Sequence, residues 1–324
     1  MEYTTLGRTG LKVSVAGLGC GGSSRLGLEA GHSEAHCVDI IHRAVGLGVN
    51  LIDTARSYGT EHIVGAALKS VPRDSVVIST KHKIADGKTT DTLLPASAIV
   101  AGLDTSLRTL GTDYVDIFFL HTVFPEAYDH AVTELLPALK REQQKGKIRF
   151  IGVTEMAPAD PHHAMARRAA EDGHWDVLMF AFHMLAQSAR RTVFPAALKH
   201  NIGTLIMFAV RSLFSVPGRL RQDVTALAEA GQLPAWLAQK ENPLDFLLHE
   251  HGAQSIIEAA YRYVRHEPGA NVVLFGTGNP AHIQPNIEAI LKPPLPQTDL
   301  QRIADLFGAL EGVGLDLPTR SPGN

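Results

Sequence analysis

Eight short apolar runs alternate with longer amphipathic ones along this chain, and that alternation limits the fold more than any other feature. The runs are 15–19, 50–53, 76–80, 114–120, 149–153, 177–182, 204–207 and 271–275. Their near-continuous hydrophobicity is what parallel strands require when both faces of the sheet are covered. Between them lie helical patterns such as SEAHCVDIIHRAV, ASAIVAGLDTSLRTL, AVTELLPALKREQQ and PHHAMARRAAED. Ser33 reads as the N-cap of the first, Gly46 and Gly48 suit its end, and His162-His163 read as the solvated start of the last. Eight strand–helix alternations imply the α/β class and a closed (β/α)8 TIM barrel, with an open doubly wound sheet as the competing arrangement. The 324 residues fall within the size such a barrel takes.

The rest of the chain is read around this core as one domain, 1–324. Residues 1–14, YTTLGRTGLKVS within them, hold two β-prone runs about a GRTG turn and predict a hairpin. Residues 211–254 are long for a strand-to-helix connection, a length usually tied to function. The tail 293–324 opens on PPLPQ and continues into a helical QTDLQRIADLFGAL, which adds appended C-terminal helical structure. Gly17, Gly19 and Gly22 fit GxGxxG after the first strand, but SSRLGLEAG follows and its glycines break the helix a dinucleotide-binding turn needs. A glycine-rich loop that permits close backbone approach is the preferred reading.

Composition excludes several classes. A formal net charge of −3 without a basic block argues against nucleic acid as a partner. No stretch approaches the ~18 apolar residues of a membrane helix, and MEYTTLGRTG is too polar for a signal peptide. The two cysteines, Cys20 and Cys37, form no CxxC, so a reducing cytoplasm is the expected location. His249-Glu250-His251 has i, i+2 spacing, which puts its histidines on different helix faces, and no metal is expected.

The strand ends carry the chemistry. The second strand ends in Asp53 with Tyr58 in the loop beyond, the third in Lys81, and the fourth in His121. In a barrel these ends meet at one face. A lysine at the end of an apolar strand is costly to bury unless paired, and Asp53 is the expected partner. The ammonium beside Tyr58 is expected to lower the phenol pKa from its usual value of about 10. His121 is placed to orient and polarise a carbonyl oxygen. Such a group suits proton delivery to oxygen while hydride arrives at carbon, and the hydride implies a nicotinamide cofactor.

The stretch GVNLIDTARSYGTEHIVG, the opening YTTLGRTGLKVSVAGLG, the lysine of STKHK and the histidine of FFLHT together resemble the aldo-keto reductase superfamily. The similarity runs from the hairpin to GTGNPAHIQPNIEAI. The resemblance implies a catalytic tetrad of Asp53, Tyr58, Lys81 and His121, with Tyr58 as proton donor and a small-molecule carbonyl or alcohol as substrate. It also implies NADPH or NADH bound extended across the barrel mouth. Cofactor contacts are expected from Gly21, Gly22, Asp53, Thr154, Glu155, Met179, Met207, Phe208, Arg211, Gly276, Thr277, Gly278, His282 and Asn286. Several positions depart from the family pattern. Thr154-Glu155 stands for its usual Ser-Asn, Met179 for Gln, and Phe182-His183 for Tyr-Asn, while Met207-Phe208 takes the place of a stacking aromatic. Gly276 and His282 replace a lysine and an arginine that many NADPH-selective relatives carry, so weak selectivity is expected. A sugar or polyol dehydrogenase working in the oxidising direction, and a cofactor-binding regulatory barrel, are the alternatives.

Overall fold

The computed structural model of the protein describes residues 1–86 and 90–316. Two strands, β1 (Tyr3–Thr5) and β2 (Lys12–Ser14), pair antiparallel as a hairpin. Eight more follow: β3 (Ala16–Gly19), β4 (Leu51–Asp53), β5 (Val77–Lys83), β6 (Val115–Val123), β7 (Ile148–Glu155), β8 (Val177–Ala181), β9 (Gly203–Met207) and β10 (Val272–Phe275). Each pairs parallel with the next, and β10 returns to β3, which closes the barrel. The open doubly wound sheet is thereby set aside.

Side chains on a strand alternate faces, so each barrel strand divides into an inward and an outward set. Leu51, Val77, Ile117, Phe119, Val177, Met179, Leu205 and Val272 fill the interior. Leu6, Leu11 and Val13 of the hairpin join this cluster and plug its N-terminal end. Ile52, Ile78, Phe118, Leu120, Val153, Phe180 and Val273 belong to the larger outer core beneath the helices. Counting in twos from the interior residues puts Asp53 on the inward face two past Leu51, Lys81 four past Val77, and His121 two past Phe119. The strand period alone therefore aims three of the four candidate groups into the barrel.

Helices Glu34–Gly46, Ala96–Leu110 and Ala164–Asp172 cover the outward face, and Ser33 caps the first by accepting the His36 N–H. Two sequence expectations need correction. Lys81 and His121 lie inside their strands, because β5 runs on to Lys83 and β6 to Val123. His163 is not a solvated helix start. It is fully buried, holds φ 56 at the N-cap of its helix, and bonds Glu155.

The connection after β9 is not a bare loop. It contains the helix Arg219–Glu229 and several shorter turns, with Val224, Leu237, Leu244 and Leu247 buried. The tail holds the helix Gln297–Phe307. Leu315 beyond it is buried against Ala157, Ala181 and Ala186 near the C-terminal mouth.

Candidate active site

Asp53, Lys81, Tyr58 and His121 come together at the C-terminal end of the barrel. Lys81 is fully buried, and its Nζ donates to Asp53 Oδ2 at 2.7 Å and to the Thr54 carbonyl at 2.8 Å. Ser79, two residues before Lys81 on the same inward face, donates its hydroxyl to Asp53 Oδ1 at 2.5 Å. The carboxylate thus has a partner on each oxygen, which a buried charge requires. Burial alone would lower the Lys81 pKa, but Asp53 and Tyr58 raise it, and the ammonium stays charged.

Tyr58 follows β4 at the end of the short turn Arg56–Tyr58. Lys81 Nζ lies 4.8 Å from its ring centroid, and the His121 ring meets it edge-on at 5.6 Å. A Cβ on Gly21 would stand 2.5 Å from this ring, so the phenol can occupy its place only because residue 21 has no side chain. The expected lowering of the phenol pKa does not hold for the free protein. Burial pushes Tyr58 up, Lys81 offsets part of that, and Asp53 adds to the rise. His121 is held well below the usual histidine value by burial, then by Lys81, Lys83 and His82. Its imidazole is therefore neutral near pH 7, with Nδ1 3.4 Å from Ser57 Oγ.

A cavity of about 340 Å³ runs from Asp53 and Tyr58 to the end of β10. Gly21, Gly22, Met179, Met207, Phe208, Arg211, Gly276, Thr277, His282 and Asn286, all named from the sequence, line it together with Asp53. Three others do not. Gly278 packs its Cα side against Gly27, where a Cβ would sit 2.8 Å from the Gly27 Cα. Thr154 Oγ1 accepts the Thr122 N–H at 2.8 Å. Glu155 lies two past Val153, an outward residue, so the strand period turns it into the helix layer. There it accepts the Ala181 N–H at 2.8 Å and meets His163 Nδ1 at 2.8 Å.

Sequence reading also missed lining groups. Ser23 and Ser24 follow the glycine loop, Ser212 and Ser215 follow Arg211, and Ile257 and Tyr261 come from the helix Ile256–Arg265. Ser79, the buried partner of Asp53 and not a lining group, was missed as well, although its i−2 spacing from Lys81 was a usable signal.

The cavity's donors suit an extended anionic dinucleotide. Arg211 stacks over Phe208 with Cζ 4.1 Å from the ring centroid and donates to the Asp316 carbonyl at 2.5 Å. Its Nε is buried without a partner among the described residues. At the far end Asn279 caps the turn Pro280–His282 by accepting the Ala281 N–H, ahead of the helix Ile283–Leu291. A helix start of this kind presents free N–H groups to anions. Among the described residues no group of three or more His, Cys, Asp or Glu is placed to hold a metal, and no helix is long and apolar enough to cross a membrane.

A closed parallel barrel with this constellation at its C-terminal mouth defines a barrel oxidoreductase, and the sequence matches the Aldo/keto reductase family over residues 18–307. The chain belongs to that family, whose members use NAD(P)H and act on small-molecule carbonyl substrates. Among its relatives, the aldo-keto reductase YhdN of Bacillus subtilis (strain 168) is 28% identical over 305 residues, 88% of this chain and 87% of that protein. The L-galactose dehydrogenase of Arabidopsis thaliana is 37% identical over 161 residues, 48% of each chain. The NADH-specific methylglyoxal reductase of Escherichia coli (strain K12) is 30% identical over 220 residues, 62% of this chain and 65% of that protein. The holo form of aldo-keto reductase AKR11C1 from Bacillus halodurans shares the fold, with a TM-score of 0.70, 21% identity, and coverage of 98% of this chain and 100% of that one.

Proposed function

We propose that this protein interconverts an aldehyde or ketone and the corresponding alcohol with NAD(P)(H), and that Tyr58 handles the proton at the substrate oxygen. The convergence of Tyr58, His121 and the Lys81–Asp53 pair at the head of the lined cavity carries this reading. When bound, the cofactor supplies or accepts the hydride. The protein's own residues manage oxygen and proton. His121 is neutral, and a ring N–H of its imidazole would be the donor that orients the carbonyl oxygen. Tyr58 keeps its proton until a developing alkoxide needs it, because burial outweighs Lys81 in the free protein. Lys81, held charged by Asp53, stabilises the phenolate left behind. Gly21, Gly22, Ser23 and Ser24 on one side, and Arg211, Ser212 and Ser215 on the other, would hold the dinucleotide. Thr277, His282 and Asn286 would take its adenosine end.

Tyr58→Phe should lower carbonyl turnover by at least ~100-fold while cofactor binding is largely kept. Near-normal turnover by this variant, on a substrate the unaltered protein reduces, would sink the assignment. The first assay is titration with NADPH and NADH followed by a panel of aldehydes.

Neither Gly276 nor His282 supplies a permanent charge for a 2′-phosphate, so a weak NADPH preference is proposed. His282 is exposed at the helix start. The NADPH-to-NADH affinity ratio should therefore stay within a few-fold of one, as measured by direct binding of each cofactor. A strong NADPH preference would assign the phosphate to another cation, Arg211 first.

A second reading, oxidation of a sugar or polyol, is favoured by the 37% identity to a plant L-galactose dehydrogenase across half of the chain. Turnover of sugars with NAD⁺ or NADP⁺ that exceeds reduction of every aldehyde in the panel would establish it.

A further inference from the structure

Strand β6 breaks register at the residue that follows His121. Leu120 pairs with Val153, yet Val123 pairs with Glu155, so β6 spends three steps where β7 spends two. The extra residue is a bulge, a device that re-aims a neighbouring side chain. Thr122 sits in it with φ 55, a left-handed conformation that is an outlier for a β-branched residue. Something must hold it there. Thr122 N–H donates to Thr154 Oγ1 at 2.8 Å, and Thr122 Oγ1 donates to the His121 carbonyl at 2.7 Å. Thr154 lies inward on β7, two past Gly152, and its buried hydroxyl faces the bulge across the strand pair.

We propose that Thr154 is a positioning residue for His121, acting through the Thr122 bulge, and that it is not a nicotinamide contact. The inference rests on the reading of His121 given above. The Thr154 hydroxyl satisfies the backbone N–H of the bulge residue itself. Without that acceptor the left-handed Thr122 keeps only its own hydroxyl's bond to the His121 carbonyl, and the bulge relaxes. The strand then regains regular register, and the His121 ring swings away from the edge of Tyr58.

The test compares four proteins: Thr154→Val, which keeps shape and loses the acceptor; Thr154→Ser, which keeps the acceptor; Thr122→Gly; and the double variant Thr154→Val/Thr122→Gly. Glycine adopts positive φ without strain, so it should hold the bulge with less help. Thr154→Val should lower kcat for aldehyde reduction about 10- to 100-fold while the NADPH dissociation constant moves less than about twofold. Thr154→Ser should restore kcat, and Thr122→Gly should recover a large part of the loss in the double variant. A weaker NADPH affinity with kcat retained, or no recovery in the double variant, would overturn the proposal. Should the valine variant fail to fold, Thr154→Ala in the Thr122→Gly background carries the same comparison.

If the unaltered protein reduces no aldehyde, the functional reading fails, and a structural readout still decides this inference. NOEs between labelled Tyr58 and His121 rings should vanish in Thr154→Val and return in Thr154→Ser. Their persistence in Thr154→Val would refute the link.

Discussion

Tyr58 and His121 meet in a T-shaped pair, and burial acts on them in opposite directions. It raises the phenol and lowers the imidazole, so both neutral forms persist across the physiological range. This fixes the expected pH dependence. For His121, protonation would begin only well below pH 6.5, and for Tyr58, ionisation only above the usual phenol value of about 10. The kcat/KM for carbonyl reduction should therefore be flat from about pH 6 to 9. An inflection near pH 6.5 that disappears in His121→Asn would show an imidazole of ordinary basicity and undo the neutral-donor role. The sequence revealed which residues meet, because strand parity and barrel topology suffice for Asp53, Lys81 and His121. It gave the wrong sign for the Tyr58 pKa, because a sum of burial and charge depends on depth, and depth is not written in spacing. The outward turn of Glu155 went unread for a different reason. Its outward parity was available from Val153, but the partner that keeps a carboxylate there, His163, lies beyond a left-handed turn that no local pattern announces.

Between β9 and the helix Ile256–Arg265, the chain builds its own layer. Leu220, Val224 and Leu227 recur at i, i+4 and i+7, the spacing of an amphipathic helix, so the helix Arg219–Glu229 had a signal in the sequence. It was obscured at its start, where Gly218 at φ 79 stands in place of a side-chain cap. What anchors this layer was not legible at all. Arg211 bonds the carbonyl of Asp316, and Arg219 meets the same residue's carboxylate at 3.4 Å, across about a hundred residues of sequence. Leu315 pins that segment against Ala157, Ala181 and Ala186. Leu315→Asp would place an unpaired carboxylate among alanines, which drives the segment off and removes both anchors. The expected result is a loss of about 2 kcal/mol in stability and faster amide exchange in 212–229, with strands β3 to β6 unaffected. Unchanged exchange in 212–229 would mean that Val224 and Leu237 hold the layer unaided.

The two ends of the barrel are built for different work. The hairpin end is sealed by Leu6, Leu11 and Val13, while the mouth end gathers buried titratable groups, among them His121, His163 and His183. That asymmetry makes the mouth the acid-sensitive half of the molecule. Burial pulls His183 down to about 3 and His121 well below 6.5, so the unfolded chain binds protons that the folded one refuses. Their contribution to stability is present above pH 6.5 and is lost as pH falls. His163 has the opposite sign. Burial would lower it, but Glu155 raises it, so its contribution is full below pH 6.5 and is lost as pH rises through the folded value. The lowered histidines outnumber the raised one at the mouth, and net stability should decline on the acid side. His183 isolates the effect because its Nδ1 only accepts, from the Leu185 N–H at 3.2 Å, a role the Asn carbonyl can take over. In His183→Asn the slope of unfolding free energy between pH 6 and pH 4 should be shallower by about 1.4 kcal/mol per unit, as read from urea midpoints and m-values. An identical slope would show that His183 takes up its proton in the folded protein, and that the mouth opens to water before the barrel unfolds.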